Sequence, residues 1–401
     1  MSLGLAGNRL WIAVTGGILL IILAFASVST YGKAPSLRLK APGSRAGESG
    51  GSLQDVHNAT LGFQKIFAIN LPSRTDHRDS ISLAAHLTGL QVDYWDGVTS
   101  LESKTLPPGG EEFTSKGALF AWRAHMNLLR HIVENNITTA LIAEDDIDWD
   151  IRIKSQMEDY ARASRVVLQT TSSGPADDYY DADYTSAGGA VIDYNVVEHP
   201  TTEPTSSPYG EIETWDIFWL GHCGVKMPTP SDNLPTNRAV IYNDPTVPET
   251  QHIDAEFGDR QLVDGYPNHT RIVSHAHDNV CSLAYAISLP GARKILYELG
   301  IKRIDRAFDL ALTSVCGGTD RRPRATCLSV MPQIFAGYHP IALRASLSDI
   351  GTPEHGDEYT TVAFSKNIRW STRGNFEQLV YGRKQYTDTF RDGEPKPDLG
   401  E

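Results

Sequence analysis

The chain has no basic block. Its 36 Lys and Arg residues are outnumbered by 49 Asp and Glu, for a formal net charge of −13 over 401 residues. Nucleic acid, which calls for clustered cations, is excluded as the expected partner. Cysteine is scarce: Cys223, Cys281, Cys316 and Cys327 are all there are. None sits in a CxxC or Cys/His spacing that suggests zinc. Four cysteines allow three pairings. Cys316 with Cys327 closes a short loop over an Arg- and Pro-rich stretch and is the pairing expected first; the alternative is buried free thiols. No internal repeat is present. With 40% hydrophobic and 21% charged residues, the composition fits a globular protein with one large core or two smaller ones.

One uncharged apolar run, Leu10 to Val28, is long enough to cross a bilayer. It reads first as a signal anchor, with residues 1–9 as a short cytosolic tail. The other reading is a cleaved signal peptide, because Ala24-Phe25-Ala26 has the small-x-small look of a cleavage site. Charge does not favour the anchor, since Arg9 alone precedes the span while Lys33, Arg38, Lys40 and Arg45 follow it. Its length does. Both readings send the rest of the chain into the secretory lumen. The expectation is a single-pass type II protein of the Golgi or endoplasmic reticulum membrane, held by this helix. The sequons at Asn58, Asn136 and Asn268 agree. Residues 29–63, rich in Gly, Ser, Ala and Pro, read as a flexible stem.

The folded part is expected over residues 64–366. Lys65 to Leu71 is a continuous apolar run of strand length, stopped by Pro72. Arg74 to Leu90 has helical spacing. Val92 to Trp95 reads as a second strand, closed by an Asp96-Gly97 turn. From Ala118 to Val133 apolar residues recur every three or four positions, the mark of an amphipathic helix. A third strand, Ala140 to Ala143, follows. Strand–helix–strand–helix–strand order predicts an α/β domain with a mainly parallel central sheet flanked by helices. Residues 170–213 and 227–280 read as polar insertions. Ala284 to Leu289 is expected as a strand, Gly291 to Leu299 and Ile304 to Leu312 as helices, and 367–401 as a polar tail.

The third strand runs into Glu144-Asp145-Asp146. Adjacent carboxylates repel, so such a run calls for a cation. Hard oxygen ligands suit Mn²⁺ or Mg²⁺, ions that commonly clamp a nucleotide diphosphate. The competing reading is a solvated acidic strand end. In open sheets, ligands sit beyond the carboxyl ends of strands, where this run and Asn70 both fall.

Four segments in order resemble glycosyltransferase family 25, which includes bacterial lipooligosaccharide and collagen galactosyltransferases. They are Ile69-Asn70-Leu71 with Arg74, Asp76 and Arg78; Gly117 to His125; Ala140 to Asp146; and Ala284 to Leu296 followed by Ile304-Asp305. Trp215 to Gly221 and Ser346 to Ile350 also fit the pattern. Ala121 and Ala124 stand where the family tends to carry Cys and Ser. The resemblance implies a GT-A-like fold, a UDP-sugar donor (galactose first), a divalent metal and transfer with inversion to a glycan or glycoprotein acceptor.

An inverting transfer needs a carboxylate to take the acceptor's proton and positive charge at the leaving diphosphate. Glu144, Asp145 and Asp146 are the expected metal ligands. Asp305 is the first candidate for the base and Asp216 the second; Asp305 also suits a helix N-terminus as a dipole partner. Asp309, four residues on, is expected to share its helix face. Arg74 and Arg78 offer planar forks for phosphate, beside Asp76. Asn70, Asp96 and Gly97 are placed to line a nucleoside pocket. His125 reads as a core histidine, His275 and His277 as loop histidines and Trp219 as core, while Trp215 is a candidate to stack on a sugar. Two alternatives stand beside the transferase: an inactive glycan-binding relative, and a metal-dependent hydrolase using the carboxylates with His275 and His277.

Overall fold

The computed structural model describes residues 51–399 apart from 114, 169–189, 256, 343–348 and 351–358. The expected cytosolic tail, the Leu10–Val28 span and most of the stem lie outside the described residues. Among the described residues, no helix is long and apolar enough to cross a membrane.

The chain enters the sheet at β1 (Lys65–Asn70), then forms α1 (Thr75–Thr88), β2 (Asp93–Asp96), α2 (Lys116–Glu134) and β3 (Thr139–Glu144). β4 (Ile147–Trp149), α3 (Ile153–Leu168), β5 (Asp193–Asn195), β6 (Ile217–Gly221), β7 (Gly224–Lys226) and β8 (Arg238–Ile241) follow. After α4 (Gln261–Gly265) come β9 (Arg271–His275), β10 (His277–Val280), β11 (Ala284–Ser288) and α5 (Leu289–Tyr297). The last elements are α6 (Phe308–Gly317), β12 (Cys327–Met331), β13 (Phe335–His339), β14 (Phe364–Ser365) and α7 (Phe376–Val380).

The main sheet runs β2-β1-β3-β11-β6-β12-β9-β8-β5. β1 pairs in parallel with β2 and β3, β12 with β6, and β5 with β8. β11 and β9 oppose both of their neighbours. All the other strands on this path therefore point one way, and the sheet is largely parallel, as the element order predicts. Successive strand residues feed two different cores. Ile66, Ala68, Leu141 and Ala143 pack with Ile81 of α1 and Met157 and Tyr160 of α3. Phe67, Ala140 and Ile142 pack with Trp122 and Leu129 of α2, Ile295 of α5 and Leu312 of α6. A strand covered on both faces has to be apolar throughout, which is why β1 and β3 read as unbroken apolar runs.

Local signals fix the helix ends. Gly89 closes α1 in the left-handed conformation, Ser115 caps α2 by accepting from the Ala118 N–H, and Ser288 caps α5 by accepting from the Gly291 N–H. Both disulfides are formed, Cys316–Cys327 as expected first and Cys223–Cys281.

The structure departs from expectation in five places. The end of the stem expected over 29–63 is folded, with Val56, Leu61 and Phe63 buried in the core and Phe63 stacked on Tyr209. The helix expected from Ile304 starts at Phe308, because Ile304 is buried and its N–H donates to the Pro108 carbonyl. Residues 227–280 are not a plain insertion: they supply β8 and β9 to the sheet. Of 170–213, residues 170–189 lie outside the described residues; the rest includes β5 and the fully buried Tyr209. The tail after Asn367 is ordered, with Arg373 and Asn375 buried.

Candidate active site

β1 and β3 are in register, so their carboxyl ends stop together: Asn70 closes one, Glu144 the other, and Asp145 and Asp146 turn the chain into β4. Beyond these ends lies a cleft of about 670 Å³. The start of α2 with Gly117, Ala121 and His125 lines it, and so does the first turn of α6 with Phe308 and Asp309, which adjoins α2 through the His125–Phe308 stack. Glu144, Asp145, Asp146, Asp309 and Asp349 all line it, and among the described residues no Lys or Arg does.

Each carboxylate is held differently. Glu144 accepts from the Ser282 hydroxyl at 3.1 Å. Burial, then the charge of Asp146, pushes its carboxyl up to about 8. Asp145 takes the Asn70 amide at 2.6 Å on one oxygen and the His77 ring at 2.8 Å on the other. Asp146 is half-buried, and its Oδ1, itself buried, has no hydrogen-bond partner. Burial and then the charge of Asp145 push its carboxyl up as well. Asp309 accepts the Cys281 N–H at 2.8 Å. A buried cation, Arg373 from the tail, donates to the Asp145 carbonyl at 2.9 Å. Two carboxyls of one turn raised by burial and by adjacent negative charge mark a site short of positive charge.

Of the expected base and nucleotide residues, Gly97 lines this cleft; Asp305, Asp216, Asn70, Arg74, Asp76, Arg78 and Asp96 do not. Asp305 does not line it; Arg306 at 2.8 Å and Arg303 at 3.2 Å bind it and hold its carboxyl below the usual range. Nor does it share a helix with Asp309, since α6 begins after it. Asp216 precedes β6 at the opposite end of the strands, buried, accepting from Lys294 and the Thr326 N–H. Arg78 lies over the Tyr94 ring, 4.3 Å from its centroid.

Arg74 is engaged by Asp76 at 2.9 Å and Asp349 at 2.6 Å, and also touches the His77 ring. Asp76 and Asp96 are exposed and outside the lining. Gly97 does line the cleft, its N–H on the Asn70 carbonyl at 2.8 Å.

His125 is both core and lining. It stacks on Phe308 at 4.1 Å, bonds the Tyr285 hydroxyl, and is pushed down to about 3 by burial. Trp215 is as buried as Trp219 and stacks on Phe218, so it presents no face to a sugar. His275 and His277 sit on β9 and β10 rather than in loops. His275 bonds the Cys316 carbonyl.

Sequence reasoning passed over His77, Ser282, Asp349 and Arg373 as site residues. Two carried a local signal: His77 by its place just past the β1 carboxyl end, and Asp349 by lying in the Ser346 to Ile350 segment.

Among the described residues, the ligand atoms of Glu249, His269 and Asp392 are the one metal-capable trio that converges within 4.8 Å. They lie outside the cleft lining. The guanidinium of Arg369, 3.1 Å from Asp392, already supplies positive charge there. Glu144, Asp145 and Asp146 do not converge as a trio. Mg²⁺-like ions are usually held by one or two carboxylates plus substrate phosphates, so a protein cage is not required. The orphaned Asp146 oxygen and the hard-oxygen donor set fit such an ion.

No family model and no curated protein matches this sequence.

Proposed function

We propose that the chain is a luminal, metal-dependent glycosyltransferase. It moves a hexose, galactose first, from a UDP-sugar to a glycan or glycoprotein hydroxyl with inversion. The resemblance of the four segments to glycosyltransferase family 25 supports the reaction class. The observation that carries the reading is the buried, unpartnered Asp146 oxygen in an acidic cleft at the carboxyl ends of parallel strands. That is where α/β sheets bind nucleotides, and about 670 Å³ falls within the usual range for small-molecule sites.

Asp146 with Asp145 or Glu144 would hold Mn²⁺ or Mg²⁺, which as a Lewis acid neutralises the departing diphosphate. Gly97, held by the Asn70 carbonyl behind it, borders the nucleoside side. Asp309 replaces Asp305 as the proposed base: it lines the cleft opposite the acidic turn and can take the acceptor's hydroxyl proton. Its geometry is fixed by the Cys281 N–H. The apolar faces of Phe120 and Phe308 exclude water, which favours transfer to an acceptor over hydrolysis.

The test is release of UDP from a panel of UDP-hexoses with Mn²⁺, with and without acceptor glycans. The reading expects acceptor-stimulated release with one donor, lost in Asp145→Asn/Asp146→Asn. Release from simple phosphoesters instead would favour the hydrolase, and glycan binding without release the inactive relative.

A further inference from the structure

The Asp145 carboxylate is gripped from two sides. The Asn70 amide donates to Oδ2 at 2.6 Å, and the same amide nitrogen donates to the Arg74 carbonyl at 3.1 Å. On Oδ1 sits Nδ1 of His77 at 2.8 Å. The side chain of His77 is 12% exposed and lines the cleft. Its second nitrogen, Nε2, touches the Arg74 guanidinium, while the nearest Asp76 oxygen stands off at 3.6 Å, beyond hydrogen-bond reach. A guanidinium can only donate, so Nε2 must accept. The ring proton therefore belongs on Nδ1, where it is donated to Asp145. Arg74 is fixed in turn by Asp76 and Asp349. Neighbouring Asp146 has none of this: its Oδ1 is buried and unpartnered.

From this asymmetry we infer that His77 is a positioning residue. With Asn70 it clamps Asp145 at one orientation, so that the free oxygen of Asp146 is the principal ligand of a divalent cation and Asp145 a pre-aimed second. This rests on the metal-dependent reading above. Adjacent flexible carboxylates lose rotamer freedom when they bind an ion, and a carboxylate already held loses less. Partners that orient a metal ligand in this way typically govern 10–100-fold in affinity. The device also assigns Arg74 a role different from phosphate binding: it sets the tautomer of His77.

The experiment is Mn²⁺ titration of the full chain with UDP present, followed by electron paramagnetic resonance, on wild type, His77→Ala, His77→Asn and Asp146→Asn. Thermal melts show that each variant is folded. Asn offers an amide donor close to the Nδ1 position. Mn²⁺ affinity is expected to fall about tenfold or more in His77→Ala, to return toward wild type in His77→Asn, and to vanish in Asp146→Asn.

His77→Ala and Asp145→Asn should combine non-additively, because each breaks the same contact. Nitrogen-15 spectra of wild type should show the His77 proton on Nδ1. Folded His77→Ala with unchanged Mn²⁺ affinity, or a proton on Nε2, overturns the clamp alone. Wild type that binds no Mn²⁺ overturns the metal-dependent reading and the clamp's role with it, leaving the spectra to report the tautomer.

Discussion

At the scale of the residue, function depends on which carboxylate faces the cleft. Asp309→Asn is expected to lower turnover by about 10²-fold or more while UDP affinity stays near wild type, as for loss of a general base. Asp305→Asn should leave turnover nearly unchanged. The reverse result would return the base to Asp305. Sequence identified the acidic turn because three consecutive carboxylates after an apolar strand are conspicuous. It pointed to Asp305, with Asp216 second, rather than to Asp309, because which carboxylate reaches the cleft depends on where α6 starts, and a buried Ile304 sets that start.

Buried histidines give a second residue-scale prediction. Burial pushes His275 down to about 4 from its ordinary 6.5. The unfolded chain takes up this proton first, so stability from His275 is full above 6.5 and is lost as pH falls toward 4. Melts across that window should fall less steeply in His275→Gln than in wild type. Parallel curves would show that His275 does not contribute this term.

At the scale of the element, close approach matters more than composition. Gly291 in the first turn of α5 lies against the backbone before β6: an added Cβ would stand 2.3 Å from the Asp216 carbonyl oxygen. Gly291→Ala should cost about 1–3 kcal/mol, the usual scale of overpacking, read as a lower midpoint in urea. An unchanged midpoint would mean that α5 can shift without loss. β1, α1, β2, α2 and β3 were legible because each carries one clean period or an unbroken apolar run. β8 and β9 were not, because they are four and five residues long and lie among Pro, Asn and Asp. Their strand character comes from pairing with each other and with β12, a long-range fact that no local window contains.

At the scale of the whole molecule, the tail after Asn367 belongs to the fold. Trp370 is held between the guanidinium groups of Arg152 and Arg369, at 3.7 and 4.4 Å. Asp148, at the β4 strand, accepts from Ser365, Ser371 and the Arg373 N–H. Phe390 and Leu399 pack on Phe364. Arg373 then reaches the backbone of the acidic turn. Ending the chain at Asn367 should therefore lower the melting temperature sharply, since burying Phe390 alone is worth about 2 kcal/mol. A truncated chain with the wild-type melting temperature would show the tail to be dispensable. Its polarity hid this in the sequence: the contacts are salt bridges, cation–π pairs and side-chain hydrogen bonds, which have no periodicity.

A cation-dependent nucleotide site in the acidic cleft takes up UDP only with the metal present, which calorimetric titration of UDP into the purified chain, with Mn²⁺ and again with EDTA, reads out. Saturable binding with Mn²⁺ that EDTA abolishes and Asp145→Asn/Asp146→Asn lacks is the expected result. A folded, Mn²⁺-supplied chain that takes up no UDP, or binds it equally well in EDTA, would contradict the claim.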